Sequence, residues 1–266
     1  MRRSTTAALA VASAAALVIA GVQPASAHHG GEPVSGSYSA GAEHAWQRLP
    51  GRRFQQRQAH GPDVHRWDNA EVVREPTRKI ILASRSPRRS ELLTAAGISF
   101  EVLAADIDET PHANEAPAAY VERLAREKAA AIARRWPDAV VVAADTAVVL
   151  DGQVLGKPVD AADAARMLRD LGGRAHDVLT GVAVAAAGQT HARVERTVVW
   201  MHDWPAEDIE RSVASGEPLD KAGAYALQGY AARFIPRIDG SPSNVVGLPL
   251  EAVVQLLASA DVSLRG

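Results

Sequence analysis

Residues 139–150 form a run of twelve that is apolar except for Asp145 and Thr146 near its centre. A valine-rich stretch of this length reads as a strand covered on both faces, which requires packing partners on either side of the sheet. An ionised carboxylate inside such a strand is costly unless it meets a cation or opens onto a cleft. A purely structural salt bridge satisfies the same demand, so both readings stand at this point.

Elements on either side of this run follow an α/β alternation. Strands are expected at 79–83 and 100–104, with a helix between them over Pro87–Ala96, and a long amphipathic helix at 116–135. Asp151-Gly152 fits a tight hairpin turn into a short strand at 153–155. A helix over 160–171 ends at Gly172-Gly173, and strands follow at 176–186 and 191–202. A helix near 205–215, a loop at 220–230, an Asp-Gly turn at 239–240 and a helix at 248–259 complete the pattern. The fold class is therefore α/β, with helices flanking a mixed twisted sheet.

The first 78 residues differ from this. They carry three more basic than acidic residues and five of the nine histidines, whereas 79–266 carries a surplus of five acidic residues. Residues 1–27 resemble a secretory signal: Arg2 and Arg3, an apolar stretch from Ala7 to Val22, then Ala25-Ser26-Ala27. The apolar stretch is short for a permanent membrane span and lacks a basic stop after it. Residues 28–78 keep no period of 2 or 3.6 and read as a disordered extension. The globular domain is expected at 79–266.

The chain has no cysteine, which excludes disulfide frameworks, cysteine-based zinc sites and thiol nucleophiles. A net charge of −2 argues against a whole-domain grip on nucleic acid. Three local features break ordinary folding rules, and function tends to lie at such places. In Ser84-Arg85-Ser86-Pro87-Arg88-Arg89, Ser86 suits an N-cap and Pro87 the first helical position, so Arg88 and Arg89 fall in the first turn. Cations there oppose the helix dipole unless an external anion joins them, so Ser84, Ser86 and the arginines form a candidate phosphate site. Lys128 lies within the apolar stripe Val121, Leu124, Ala125, Ile132 and must either snorkel out or meet an anion. Asp145 is the third. Asp106, Asp108 and Glu109 add carboxylates that could hold Mg²⁺ or Mn²⁺ beside a polyphosphate, and Lys157 and Lys221 are further phosphate cations. Glu122 and Arg126 form only a surface i,i+4 pair. Together these residues fit metal-assisted attack of water on a phosphoanhydride, with Asp145 as base.

Six segments resemble the Maf family of nucleoside triphosphate pyrophosphatases. They are 82–89, Leu124-Ala125-Arg126-Glu127-Lys128-Ala129, Ala144-Asp145-Thr146, Gly156-Lys157-Pro158, 220–229 and Val246-Gly247-Leu248-Pro249-Leu250. They span about 79–259 in the family's order. The resemblance implies the Maf/inosine-triphosphatase-like α/β fold, a homodimer, and hydrolysis to a monophosphate and pyrophosphate with a divalent metal. It makes Asp145 the general base, sets Ser84, Arg89, Lys128 and Lys157 around the phosphates, and puts Glu109 near the metal. Arg88, Thr146 and Gln228 match the type acting on dTTP and UTP, where the 7-methyl-GTP type tends to carry tryptophan, glutamine and glutamate. The competing readings are a nucleotide-binding regulator of cell division with little turnover and a Maf enzyme of different base preference, such as 7-methyl-GTP. Substrate supply favours the cytoplasm, with export as the alternative if residues 1–27 act as a signal.

Overall fold

The computed structural model describes residues 78–262. The signal-like segment at 1–27, almost all of the extension at 28–78 and the last four residues of the expected domain lie outside the described residues. The chain runs β1 (Ile80–Leu82), α1 (Pro87–Ala95), β2 (Glu101–Val102), α2 (Pro117–Ala133), β3 (Val140–Leu150), β4 (Gln153–Leu155) and α3 (Ala161–Leu171). It continues through β5 (Ala175–Ala186), β6 (Gln189–Trp200), α4 (Ala206–Ala214), β7 (Arg237–Asp239), α5 (Pro242–Val246) and α6 (Leu250–Ser259). The expected 220–230 loop winds partly into short 3₁₀ turns, and the strand ending in the Asp239-Gly240 turn is one that local pattern did not reveal.

Seven strands form one mixed sheet in the order β2-β1-β3-β5-β6-β7, with β4 also paired to β3. β1 is parallel to β2 and β3, and every other pairing is antiparallel. The hairpin β3–β4 turns through Asp151 and Gly152, both at positive φ (50° and 78°), as a two-residue turn between twisted strands requires.

β3 is buried along nearly its whole length, and its side chains alternate between two cores. Val140, Val142 and Ala144 pack with Leu92 and Leu93 of α1 and with Val253, Leu256 and Leu257 of α6. Val141 and Ala143 pack with Ala125, Ala129 and Ile132 of α2 on the opposite face. The same alternation sends Asp145 toward the α2 face and Thr146 toward the α1 face.

The strand pairings also locate an opening. β1 pairs with β3 only as far as Leu82–Val142, and β4 takes up the same edge only from Leu155–Val148. Between Val142 and Val148 that edge of β3 has no strand partner. The gap lies at the carboxyl end of parallel strand β1, where ligands of open α/β sheets commonly bind.

Close approach of α2 to the sheet depends on Gly181, which pairs with Asp145 across β3 and β5. A Cβ at this position would lie 2.2 Å from the carbonyl oxygen of Val121, a helix backbone atom that cannot swing away. Gly181→Ala is therefore expected to push α2 off the sheet and to destabilise the protein by about 1–3 kcal/mol or more. Urea unfolding measures it, and an unchanged midpoint would show that α2 has slack there.

Buried His176 on β5 lies 2.7 Å from the Tyr225 hydroxyl through Nε2. Burial pushes its pKa down to about 4, with Asp177 opposing weakly. The unfolded state therefore binds the extra proton between about pH 6.5 and pH 4. This contribution is present above pH 6.5 and is lost on acidification, on the order of 3 kcal/mol by pH 4. In His176→Gln the fall in melting temperature over that window should be shallower than in the wild type; equal slopes would mean that other groups set the acid limit.

Candidate active site

Three elements bring charge to the open edge of β3. Lys128 projects from the buried stripe of α2, whose neighbours Val121, Leu124, Ala125 and Ile132 are all buried as expected. Its Nζ lies 2.7 Å from Oδ1 of Asp145 and 2.7 Å from Oε1 of Glu109. Lys128 and Asp145 are each 8% exposed, and Asp145 both pairs with Lys128 and lines a cleft. Its Oδ2 has no hydrogen-bond partner among the described residues.

Burial raises the Asp145 pKa, with Lys128 and then Arg89 pulling it back. Glu109, less deeply placed, goes the other way. Burial pulls it upward, but the Lys128 contact, with Lys157 and Arg89 behind it, leaves it below the ordinary glutamate range. Tyr120 donates its hydroxyl to the Glu109 backbone oxygen at 3.0 Å, fixing the loop that carries this carboxylate.

Arg89 lies on the other side of β3. Its Nε donates to the Gly247 carbonyl at 2.7 Å, and its terminal nitrogens donate to Ser84 Oγ (3.2 Å) and Thr146 Oγ1 (3.1 Å). Three of its five N–H groups are thus committed, leaving two for a ligand. Burial lowers its pKa, with Asp145 opposing. Ser86 stands at the N-cap of α1 without a side-chain cap bond; its backbone N–H donates instead to Ser84 Oγ at 3.1 Å. The first turn of α1 holds no acidic residue.

A cleft of about 700 Å³ gathers these groups. Of the candidate site residues singled out in the sequence, all but Asp108 line it. Ser84, Ser86, Arg88 and Arg89 come from the β1–α1 junction, and Asp145 and Thr146 from β3. Glu109, Lys128, Lys157, Lys221 and Gln228 complete the set. Arg88 and Lys157 have no hydrogen bond or ion pair to other described residues and are free to take an anion. Lys221 is already engaged, donating to Glu217 O and Asp220 Oδ1 at 2.6 Å each. The acidic cluster divides: Asp106 lines the cleft, while Asp108 accepts from the Thr110 N–H in a local turn. Sequence reading missed Thr180 and Asn244, buried polar residues behind Thr146. The only available sign was a lone threonine within the apolar stretch of β5.

For a divalent cation the donors present are Asp145 and Glu109, whose carboxylates converge on the point that Lys128 Nζ occupies. Oxygen donors suit Mg²⁺ or Mn²⁺. No group of three or more acidic or histidine side chains forms among the described residues, so a bound cation would draw its other ligands from substrate and water.

The family described as Maf-like protein matches residues 79–260, which covers β1 through α6 and every cleft residue named above. This chain belongs to that family. The Acinetobacter baylyi protein named dTTP/UTP pyrophosphatase is 51% identical over 176 residues, covering 66% of this chain and 96% of that protein. A protein of the same name from Myxococcus xanthus is 54% identical over 185 residues, covering 70% and 94%. The Vibrio cholerae protein of that name is 52% identical, covering 67% and 96%. The crystal structure of protein VC0702 from Vibrio cholerae has 14% identity and a TM-score of 0.37 over 68% of this chain and 94% of that one, a likeness too loose to bear on the site.

Because burial raises the Asp145 pKa, its ionised form is held at a cost in the free protein. Asp145→Asn removes that charge while Lys128 keeps Glu109 as partner. Its melting temperature at pH 7 is expected to equal or exceed the wild type's in calorimetry. A fall of several degrees would mean that the ion pair is net stabilising.

Proposed function

We propose that this protein hydrolyses nucleoside triphosphates, with dTTP and UTP preferred, to the monophosphate and pyrophosphate. The observation that carries the reading is the convergence, in one cleft of a Maf-like chain, of unpaired cations with two carboxylates on a single cation position. Relatives about half identical over nearly their whole length are named for that reaction.

In this reading Asp145 accepts the proton of the attacking water at its free Oδ2, and the burial that raises its pKa makes it a stronger base than a surface aspartate. The water oxygen bonds to the α-phosphorus as the bond to the α–β bridging oxygen breaks, and that oxygen departs with pyrophosphate. Arg88, Lys157 and the two uncommitted N–H groups of Arg89 hold the phosphate oxygens, and Ser84 keeps the guanidinium turned toward them. Lys128 keeps the two carboxylates together. Lys221 contributes only by leaving Asp220. A divalent cation held by Asp145 and Glu109 would add charge neutralisation on the phosphates, the main source of rate in such reactions. Arg88, Thr146 and Gln228 together set the preference for dTTP and UTP, and of the three only Gln228 is assigned to the base edge itself. The enzyme is expected to act as a homodimer in the cytoplasm, where its nucleotides are made.

The test is pyrophosphate release from dTTP, UTP, CTP, GTP and 7-methyl-GTP with Mg²⁺ or Mn²⁺. Turnover led by dTTP and UTP is expected, with a loss of about 10²–10⁴-fold in Asp145→Asn. Binding of dTTP with no turnover in the wild type would favour the regulator reading instead.

A further inference from the structure

Thr146 and Thr180 face each other across β3 and β5 with their hydroxyl oxygens 3.0 Å apart, so either could donate. Counting protons decides which. Thr180 is fully buried, and its Oγ1 lies 3.0 Å from the backbone carbonyl of Asn244, which can only accept. A hydroxyl has one proton, so Thr180 gives its proton to Asn244 and receives one from Thr146. Thr146 then accepts from Arg89 at 3.1 Å and has no proton left for a ligand. Asn244 is fixed in turn, since its Nδ2 donates to Val178 O at 3.0 Å and to Thr197 Oγ1 at 2.9 Å. The turn that includes Asn244 also supplies the Gly247 carbonyl that takes Arg89 Nε. One rigid turn therefore holds Arg89 directly and, through two threonines, indirectly.

We propose that Thr180 is a positioning residue of the site, orienting the Thr146 hydroxyl so that it anchors Arg89 at the phosphate end of the cleft. On this view Thr146 bears on the substrate through the placement of Arg89 and does not donate a hydrogen bond to the base. The proposal rests on the pyrophosphatase reading for its kinetic consequences, but the relay itself is readable by binding alone.

The test combines dTTP kinetics with calorimetric binding of inorganic tripolyphosphate, which has no base. Thr180→Val keeps shape and removes both hydrogen bonds. It is expected to lower kcat/KM for dTTP about tenfold and to weaken tripolyphosphate binding about as much, one charge-assisted contact's worth. Thr180→Ser should restore both to within about twofold, and Thr180→Val should add less than about twofold in a Thr146→Val background. Unchanged tripolyphosphate binding with weakened dTTP binding would overturn the proposal, because the effect would then lie at the base. Independent effects in the double variant would overturn it as well. Should Thr180→Val not fold, Thr146→Val carries the test at the half-buried end of the relay: tripolyphosphate binding within twofold of wild type would overturn the proposal. A wild type that releases no pyrophosphate from any nucleotide would sink the function reading, while tripolyphosphate binding would still read the relay.

Discussion

The ammonium of Lys128, shared between Asp145 and Glu109, is the contact around which this molecule is arranged. Two of its three members sit where charges are expensive, one in a strand buried along nearly its whole length and one in the apolar stripe of a helix. Asp145 has Lys128 as its ion-pair partner among the described residues, whereas Lys128 also has Glu109, so removing the lysine strands a buried carboxylate while removing the aspartate's charge strands nothing. The contact therefore requires α2 to lie close on the sheet, and Gly181 opposite Asp145 is what lets it do so. Packing and chemistry share one geometric demand here. Moving α2 outward by the width of a methyl group would disturb the core and the site together.

The second constraint is the alternation of a strand. Because successive side chains point to opposite faces, Asp145 and Thr146 address different halves of the molecule from adjacent positions. Asp145 meets α2 and the Glu109 loop, while Thr146 meets α1 and the α5 turn. The two halves reach a common cleft only because that edge of β3 is unpaired between the end of β1 and the start of β4. A longer β1 would close the sheet and bury the carboxylate without access. The shortness of β1 and β4, which looks like a poor investment in sheet hydrogen bonds, is what opens the site.

Most of this architecture was legible from local sequence because each part violates a local rule in a way that has few remedies. A carboxylate in an apolar strand, a lysine in an apolar stripe and two arginines at a helix start each demand a partner, and the structure supplies one for Asp145, Lys128 and Arg89. What stayed hidden depends on register. That Thr146 faces Thr180 follows from how β3 aligns with β5, which no single segment encodes. Asn244 acts through a backbone carbonyl, and backbone groups leave no mark in a sequence. Lys221 shows the converse: its surroundings in sequence fit a phosphate cation, yet the 3₁₀ turn from Glu217 to Asp220 folds acceptors back onto it. β7 was missed because three residues are too few to establish a period.

Two helices of the same protein show how far the site departs from what folding alone would select. α3 follows the ordinary rules: Asp160 caps it by accepting from the Asp163 N–H at 2.8 Å, Asp163 lies in its first turn, and Arg169 in its last. α1 has no side-chain cap bond and no acidic residue in its first turn, and it begins with two adjacent arginines. The same chain, in the same solvent, thus optimises one helix start and leaves another electrostatically unfavourable. α2 also starts without a side-chain cap bond or an acidic first turn, but it carries no cation there; the two arginines are what set α1 apart. They lie in the cleft, where Arg88 and Lys157 lack anions among the described residues. An external polyanion would supply at once a cap acceptor, the negative charge the dipole favours and partners for those cations. On the proposed function, the free protein carries at this end the electrostatic complement of a polyphosphate.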